Sequence, residues 1–246
     1  MTQVLITRPL EASQQLAGEL VKVGLSPIVL PLYSFSARQP ELDLNLTWPV
    51  GTNRKLAVFT SPRAVQYGLS HIAREQLNDL DFAALGSATR AMLEAAGFDV
   101  DLQARSGFTS EDLLKIPGLG VNPGVAVIFC APGGRKALVR GLEALGWTVV
   151  QAMVYERIPL KLEAGQLDTL QASSDLISVW TSVSALNLAK ELLPRALWEK
   201  ILKAPALVIS TRIQHHLQGQ GAKRVDLANG PGNSDLLQSI LRLTEE

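Results

Sequence analysis

The chain has 246 residues, of which 47% are hydrophobic, and its 23 basic residues are balanced by 23 acidic ones. That length allows one large domain or two small ones, the net charge of zero argues against a broad nucleic-acid-binding surface, and the single cysteine, Cys130, excludes an intramolecular disulfide and a multi-cysteine metal site. The amino terminus lacks the pattern of a signal peptide and no window approaches about 18 uncharged apolar residues, so we expect a cytoplasmic protein that neither binds nucleic acid nor spans a membrane.

The chain begins with the pattern of a strand, a helix and a second strand. Residues 4–6 are a short apolar run, and residues 10–23 carry apolar side chains at helical spacing. Gly24 is a good helix stop, and residues 25–32 read as the next strand. This order favours a parallel sheet covered by helices.

The same pattern returns at mid-chain, with a strand at 125–130, a helix at 136–145 and a strand at 147–154. Four pairs of landmarks lie 121 to 124 residues apart: Gly24 with Gly146, Tyr33 with Tyr155, residues 59–61 with 180–182, and Gly97 with Gly221. We interpret these offsets as an internal duplication, with a period too long for a solenoid.

Two polar stretches that contain proline, residues 33–49 and 155–161, interrupt the pattern. They predict that the chain begins one domain, crosses to build a second, and returns to finish the first. Two such crossings would lie side by side as a two-stranded hinge, and a cleft between domains is a preferred small-molecule site. The predicted ranges are 1–33 and 161–246 for domain 1, 40–152 for domain 2, and 34–39 and 153–160 for the linker strands.

Common catalytic motifs are absent from the sequence. There is no glycine-rich dinucleotide fingerprint, no nucleotide-binding P-loop, no zinc-protease motif and no nucleophile elbow. His215 and His216 are adjacent, so they do not make a ligand pair on one helix face, and we interpret both as surface residues. Cys130 lies in an apolar strand, where a free cysteine usually behaves as a small hydrophobe. None of these motifs or residues indicates a metal or cofactor site.

Small polar residues, glycines and arginines follow six predicted strands, at the positions where parallel sheets bind ligands. These strand ends are residues 7–9, 60–63, 86–90, 131–135, 181–182 and 210–212. Serine and threonine are also favoured helix N-caps and would occur there without a ligand. The arginines are harder to explain in that way, because a cation at a helix amino terminus opposes the helix dipole. An anion would relieve that conflict, so the pattern indicates a polyanionic ligand.

Tyr155 lies at the second predicted crossing, facing the expected cleft. Its phenol is a hydrogen-bond donor at neutral pH and can act as a general acid. The alternative is that its ring packs and its hydroxyl bonds locally, as for its repeat partner Tyr33, and spacing alone leaves both interpretations open.

Taken together, the motifs resemble those of uroporphyrinogen-III synthase, most closely its bacterial branch, along essentially the whole chain. The motifs that carry the resemblance are VLITRP at 4–9, VFTSPRAV at 58–65, ALGSATRAMLEAAGF at 84–98, CAPGGRKAL at 130–138, VYER at 154–157, VWTSVSAL at 179–186, VISTRI at 208–213 and NSDLL at 233–237. No single motif is specific, but their order and spacing are.

The resemblance implies two similar parallel-sheet α/β domains of flavodoxin-like type, joined by a two-stranded β ladder, with domain 1 discontinuous. It also implies a monomeric, cofactor-free lyase of tetrapyrrole (haem) biosynthesis. Such an enzyme converts hydroxymethylbilane, which carries eight carboxylates, to uroporphyrinogen III with inversion of ring D and loss of water. An acid assists departure of the terminal hydroxyl, the substituted carbon of ring D attacks the resulting azafulvene, and the spiro intermediate fragments and recloses.

By the same resemblance, Tyr155 is the general acid, and the strand ends bind the substrate. The implied binding residues are Thr7, Arg8, Pro9, Ser61, Gly86, Ser87, Thr89, Gly133, Gly134, Arg135, Thr181, Ser182, Ser210, Thr211 and Arg212. Many members have Gly-Pro-Thr-Thr where this chain has Ser210-Thr211-Arg212, so Thr211 does not transfer cleanly.

Two other functions fit a hinged α/β protein. One is a non-catalytic two-domain protein that binds a polyanionic small molecule, although such proteins are usually secreted and this sequence lacks a signal peptide. The other is a transferase acting on phosphorylated sugars, although the acidic metal motif that such enzymes often show is missing.

Overall fold

The computed structural model describes residues 1–41, 48, 54–72, 79–103, 110–134 and 136–245. The strands are β1 (Gln3–Ile6), β2 (Ser26–Val29), β3 (Tyr33–Ala37), β4 (Lys55–Phe59), β5 (Asp81–Ala84), β6 (Leu102–Gln103), β7 (Val125–Cys130), β8 (Thr148–Met153), β9 (Tyr155–Pro159), β10 (Leu176–Trp180), β11 (Ala206–Val208) and β12 (Val225–Leu227). The helices are α1 (Leu10–Lys22), α2 (Pro62–Gly68), α3 (Ser87–Ala95), α4 (Ser110–Leu114), α5 (Lys136–Ala144), α6 (Ala164–Ala172), α7 (Val183–Leu192), α8 (Arg195–Lys203), α9 (Thr211–Gly219) and α10 (Asn233–Glu245), with a 3₁₀ turn at Leu69–His71.

These elements form two compact units, each built on a five-stranded parallel sheet. Unit 1 comprises Met1–Ser34 and Ile158–Glu246, and unit 2 comprises Phe35–Arg157. The sheet of unit 1 has the order β12-β11-β10-β1-β2, and that of unit 2 has the order β6-β5-β4-β7-β8. Read along the chain, the first is the flavodoxin-like order 2-1-3-4-5. The predicted fold class is therefore confirmed.

The duplication explains why the two sheets are alike. Each sheet combines three strands from one half of the chain with two strands from the other half. The pairing register is also the same: Ile6 of β1 lies opposite Val179 of β10, and Ile128 of β7 lies opposite Val58 of β4. Ile128 corresponds to Ile6, and Val179 corresponds to Val58, through offsets of 122 and 121 residues, the same as those seen in the sequence. The repeated halves thus exchange strands to make two equivalent sheets.

The predicted glycine stops end helices by a shared backbone geometry. Gly24 after α1 and Gly146 after α5 have φ angles of 80° and 91°, a region that disfavours residues with a Cβ. The residue after each glycine donates its N–H back into the last turn, Leu25 to Leu20 at 3.0 Å and Trp147 to Leu142 at 3.1 Å. This closure satisfies carbonyl groups that the helix end would leave unpaired, and it turns the chain directly into the next strand.

Strand β2 is shorter than its apolar run predicts, because its partner strand is short. The N–H groups of Ser26 and Leu30 bond to the β1 side of the sheet, so the intervening Pro27 directs its missing donor outward from this edge strand. Val29 lies opposite Ile6, which is the last residue of β1. The strand therefore ends at Val29 rather than at Leu32.

Strands β3 and β9 carry the chain from one unit to the other and pair as a two-stranded sheet. Arg38 N–H donates to Val154 O and Leu160 N–H donates to Leu32 O, both at 2.9 Å. Residue numbers rise from Leu32 to Arg38 while those of their bonding partners fall from Leu160 to Val154, so the two strands are antiparallel. The predicted linker ranges, 34–39 and 153–160, overlap these two strands, although Tyr33 of β3 lies outside them and Met153 belongs to β8.

An aromatic stack in the core of unit 2 supports the helix that follows β4. The rings of Phe59 and Phe129 are stacked with centroids 4.5 Å apart, and Phe82 lies on the other side of Phe59 at 6.2 Å. Helix α2 packs onto this stack through Gly68, where a Cβ atom would lie 2.8 Å from a Phe129 ring carbon and 3.2 Å from a Phe59 ring carbon. The absence of a Cβ at Gly68 therefore allows α2 to approach the sheet this closely.

Gly68→Ala is expected to destabilise the protein by about 1–3 kcal/mol, because the added methyl group overpacks rigid stacked rings. Gly18→Ala in α1 is the matched control: nothing lies within 4 Å of the added methyl group, and removing a glycine from a helix interior should stabilise by up to about 1 kcal/mol. Chemical denaturation of both variants measures the difference. Equal stability of the two variants would contradict the close packing of α2.

Candidate functional site

In unit 1, the predicted residues gather at one edge of the sheet. Strands β11, β10 and β1 are neighbours and parallel, so their carboxyl ends share that edge. Thr181 and Ser182 follow β10, and the Ser182 hydroxyl accepts the Ala185 N–H at 3.1 Å as the N-cap of α7. The Ser210 hydroxyl caps α9 in the same way, through the Ile213 N–H at 3.4 Å. Both serines thus have the structural role that N-capping predicts, on the edge where a ligand is expected.

The other predicted residues of unit 1 differ in exposure. Thr7 is 1% exposed, and its hydroxyl donates to Val179 O at 3.2 Å, so that hydroxyl is already used inside the protein. Pro9 is the N-cap of α1 and has no side-chain capping bond. Thr211 and Arg212 are exposed in the first turn of α9. The three loops lie together, but Thr7 presents only its backbone to a ligand.

Arg8 is half-buried and has a neutral partner. Its Nη1 donates to the side-chain oxygen of Asn233 at 2.6 Å, at the start of α10. Among the described residues, no carboxylate lies within 4 Å of its guanidinium. Desolvation lowers the pKa of Arg8 from its ordinary value, and the nearby Tyr33 partly opposes this shift. A desolvated positive charge held by an amide is suited to receive an anion.

In unit 2, strands β5, β4 and β7 bring the equivalent loops to one edge. Gly86 is the N-cap of α3 and Ser87 begins that helix in an exposed position, whereas Thr89 is 3% exposed and belongs to the interior. Gly133 has a φ of 74°, so the turn after β7 requires a residue without a Cβ. Gly134 follows it, and Arg135 lies outside the described residues.

Tyr155 lies among aromatic and polar side chains of the same unit. It is 6% exposed, and its hydroxyl lies 3.0 Å from the Ser61 hydroxyl. Ser61 Oγ also accepts the Ala64 N–H at 3.1 Å, as the N-cap of α2. The Tyr155 ring stacks with Tyr67 at 6.0 Å and meets the edge of Phe35 at 5.8 Å. We call Tyr155, Ser61, Phe35, Tyr67 and Arg63 the Tyr155 cluster.

The Ser61–Tyr155 hydrogen bond can run in either direction, and the direction decides what Tyr155 offers to a ligand. If Ser61 donates, its proton bonds to a lone pair of the Tyr155 phenol oxygen, and the phenolic proton remains free for transfer. If Tyr155 donates, its proton is held by Ser61 until a better acceptor arrives. In both cases the Tyr155 hydroxyl is held in place by Ser61, the residue that caps α2.

Arg63 and Asn233 were not among the predicted binding residues. The Arg63 guanidinium lies over the ring of Phe35, 3.9 Å from its centroid. The sequence placed Arg63 at a strand end, but only the fold brings Phe35 beneath it from β3. Asn233 begins the NSDLL motif, which could have drawn attention to it, but its contact with Arg8 spans 225 residues.

The other reactive side chains singled out in the sequence, Cys130, His215 and His216, have ordinary structural surroundings. Burial raises the pKa of the Cys130 thiol, which keeps it protonated, and its sulfur lies 3.9 Å from the Gln151 amide nitrogen. His216 is hydrogen-bonded to Asn187 at 2.7 Å, and His215 is exposed. Within the described ranges there is no group of three or more His, Cys, Asp and Glu side chains placed to hold a metal ion, and no helix is long and apolar enough to cross a membrane.

A cavity of about 600 Å³ in unit 1 lies at the opposite edge of the sheet from the predicted loops. It is lined by Asp175 and Leu176 at the start of β10 and by Pro205 just before β11. Because parallel sheets bind ligands at the carboxyl ends of their strands, the hydroxyls and arginines of the strand ends outweigh the size of this cavity as indicators of function.

Comparison with known proteins gives the family. The family model described as "Uroporphyrinogen-III synthase HemD" matches residues 14–238. The uroporphyrinogen-III synthase of Escherichia coli (strain K12) is 27% identical over 245 residues, which cover 96% of this chain and 99% of that protein. The uroporphyrinogen-III synthase of Chlorobaculum parvum is 29% identical over 175 residues, 68% of each chain.

Two solved structures share the fold. A mutant uroporphyrinogen III synthase from the extremely thermophilic bacterium Thermus thermophilus has a TM-score of 0.66 and 18% identity, with all of both chains covered. The uroporphyrinogen-III synthetase of Helicobacter pylori 26695 has a TM-score of 0.66 and 20% identity, with 99% of this chain and 100% of that chain covered. The resemblance predicted from the ordered motifs is thus confirmed by the family match and agrees with the fold. Since the family model spans most of the sequence, the chain belongs to the uroporphyrinogen-III synthase family.

Proposed function

We propose that this protein is the lyase that converts hydroxymethylbilane to uroporphyrinogen III, with inversion of ring D and loss of water, in haem biosynthesis. The observation that carries the proposal is the family match over residues 14–238. Relatives named uroporphyrinogen-III synthase, aligned along nearly their full length, support it. The reaction needs no redox step, and its net change is the loss of one water molecule. Binding, orientation and proton transfer by side chains are therefore sufficient.

The substrate's eight carboxylates match the groups found at the strand ends. Arginines bind carboxylates through two parallel hydrogen bonds, and exposed hydroxyls and backbone amides at helix starts bind them as well. In unit 1 we assign this role to Arg8, Thr211 and Arg212, and to the backbone at 7–9 and 181–182. In unit 2 we assign it to Gly86, Ser87, Thr89, Gly133, Gly134 and Arg135. For the buried Thr7 and Thr89, the backbone rather than the hydroxyl is the binding group.

Tyr155 acts as the proton donor in this proposal. Its phenol gives a proton to the hydroxymethyl oxygen, the C–O bond breaks, and water leaves behind an azafulvene. The substituted carbon of ring D attacks the methylene carbon of the azafulvene and forms a spiro intermediate. That intermediate fragments and recloses with ring D inverted. The proton released when the last pyrrole regains aromaticity returns to the tyrosinate. Ser61 holds the phenol in place, and the main catalytic contribution is orientation of a chain that would otherwise close to the symmetric isomer.

We further propose that the protein acts as a monomer in the cytoplasm, and that its two units are the domains predicted from the sequence. The boundaries between the two units, 34/35 and 157/158, lie within the predicted linker ranges, which supports this division into domains.

Purified protein given hydroxymethylbilane, without added metal or cofactor, is expected to yield mainly isomer III. The products are oxidised and isomers I and III are separated by chromatography. Isomer I alone, formed at the spontaneous rate by a folded sample, would contradict the assignment. Tight binding of the substrate without turnover would indicate a polyanion-binding protein instead.

Tyr155→Phe is expected to lower kcat by roughly 10- to 100-fold without abolishing turnover, because orientation persists when the proton donor is lost. Tyr67→Phe is the control, since it removes a phenol from a neighbouring ring that stacks on Tyr155. Steady-state kinetics of both variants give the comparison. Wild-type kcat in Tyr155→Phe would remove Tyr155 from the mechanism.

Asn233→Asp is expected to raise KM about tenfold, because the new carboxylate neutralises Arg8 and competes with the substrate for it. The variant should remain folded, since an acidic residue is favourable at the start of α10. Asn233→Ala, which leaves the charge of Arg8 available, should have a smaller effect. Equal KM values for the two variants would show that the charge of Arg8 is not used in binding.

A further inference from the structure

Arg63 differs from most of the half-buried arginines that the structure describes. Three of these face a carboxylate oxygen within 4 Å: Arg38 with Glu41 and Glu156, Arg54 with Asp81, and Arg224 with Asp226. No such pair is found for Arg63 among the described residues, and its charge lies against the ring of Phe35. A cation–π contact holds a guanidinium without neutralising it.

The contact with Phe35 leaves the binding groups of Arg63 available. The Phe35 ring lies 3.9 Å from the guanidinium carbon, and no hydrogen bond from the Arg63 N–H groups is found among the described residues. Those donors match the geometry of a carboxylate, which arginine grips through two parallel hydrogen bonds. Arg63 is thus fixed in place by an apolar neighbour and retains a full charge.

The same ring connects Arg63 to Tyr155. The Tyr155 ring centroid is 5.8 Å from that of Phe35, so the two distances together place Arg63 Cζ no more than 9.7 Å from the centre of the Tyr155 ring. Arg63 also lies two residues after Ser61, which is hydrogen-bonded to the Tyr155 hydroxyl. A proton donor and an unneutralised arginine therefore lie within one small cluster of unit 2.

We infer that Arg63 binds a side-arm carboxylate of the pyrrole ring that carries the hydroxymethyl group, and thereby places the leaving hydroxyl at Tyr155. This inference rests on the proposed function. Eight carboxylates on four rings give each ring two acidic side arms, so the ring that loses water has carboxylates only a few bonds from the reacting carbon. A bidentate contact at Arg63 fixes that ring, and orientation of the ring is what the reaction requires.

The test compares Arg63→Gln with wild type on two substrates. One is hydroxymethylbilane, and the other is an analogue whose hydroxymethyl-bearing ring has neutral amides in place of its two carboxylates. Arg63→Gln should lower kcat/KM for the natural substrate by about 10- to 100-fold. On the analogue, Arg63→Gln and wild type should be equal, because the contact has already been removed. Arg140→Gln, which removes an exposed positive charge from α5 of the same unit, should behave as wild type on both substrates.

A loss in Arg63→Gln that is equally large on both substrates would overturn the inference, as would wild-type kcat/KM on the natural substrate. Formation of isomer III by the wild type is measured first, so the proposed function is tested independently of the role of Arg63. Arg63→Lys is the second variant, should glutamine impair folding. It keeps the charge but loses the two-pronged contact, and the same two-substrate comparison should show a smaller, substrate-dependent loss.

Discussion

The parallel pairing of strands from opposite halves of the chain, β1 with β10 and β4 with β7, is the constraint on which the structure depends. Ile6 against Val179 and Val58 against Ile128 set the same register in both units. Because every strand in each sheet runs in one direction, every following helix begins at one edge. Loops that are far apart in the chain, such as 7–9 and 210–212, are thereby brought to the same edge of one sheet.

Two positive charges at these edges have neutral partners, Arg8 with the Asn233 amide and Arg63 with the Phe35 ring. An arginine paired with a carboxylate is already neutralised inside the protein, whereas these two retain their charge for a ligand. Burial strengthens the interaction of such a charge with an anion, since water screens it less. These two arginines and the helix starts suit the eight carboxylates of the proposed substrate, for which Tyr155 is the proposed acid.

Local signals made much of the fold predictable from the sequence. Apolar periodicity located the strands of both halves, and glycines marked helix ends because a positive φ is costly for other residues. Side-chain pairing was not predictable, since it depends on strand order: the Ser61–Tyr155 bond spans 94 residues and the Arg8–Asn233 bond spans 225. Nor did the sequence show that Thr89 is buried, because a hydroxyl at a strand end suits a cap, a ligand site and the core equally well.

Hydrogen–deuterium exchange with and without the product uroporphyrinogen III, which keeps the eight carboxylates, tests most directly where the tetrapyrrole binds when it is done under anaerobic conditions. The account predicts slower exchange at the carboxyl ends of the strands, in residues 7–9, 60–63, 86–89, 181–182 and 210–212. The turns at Gly24 and Gly146, at the opposite ends of the strands, should be unchanged. Protection at those turns or around the cavity before β10 and β11, with the strand-end loops unaffected at saturating ligand, would contradict it.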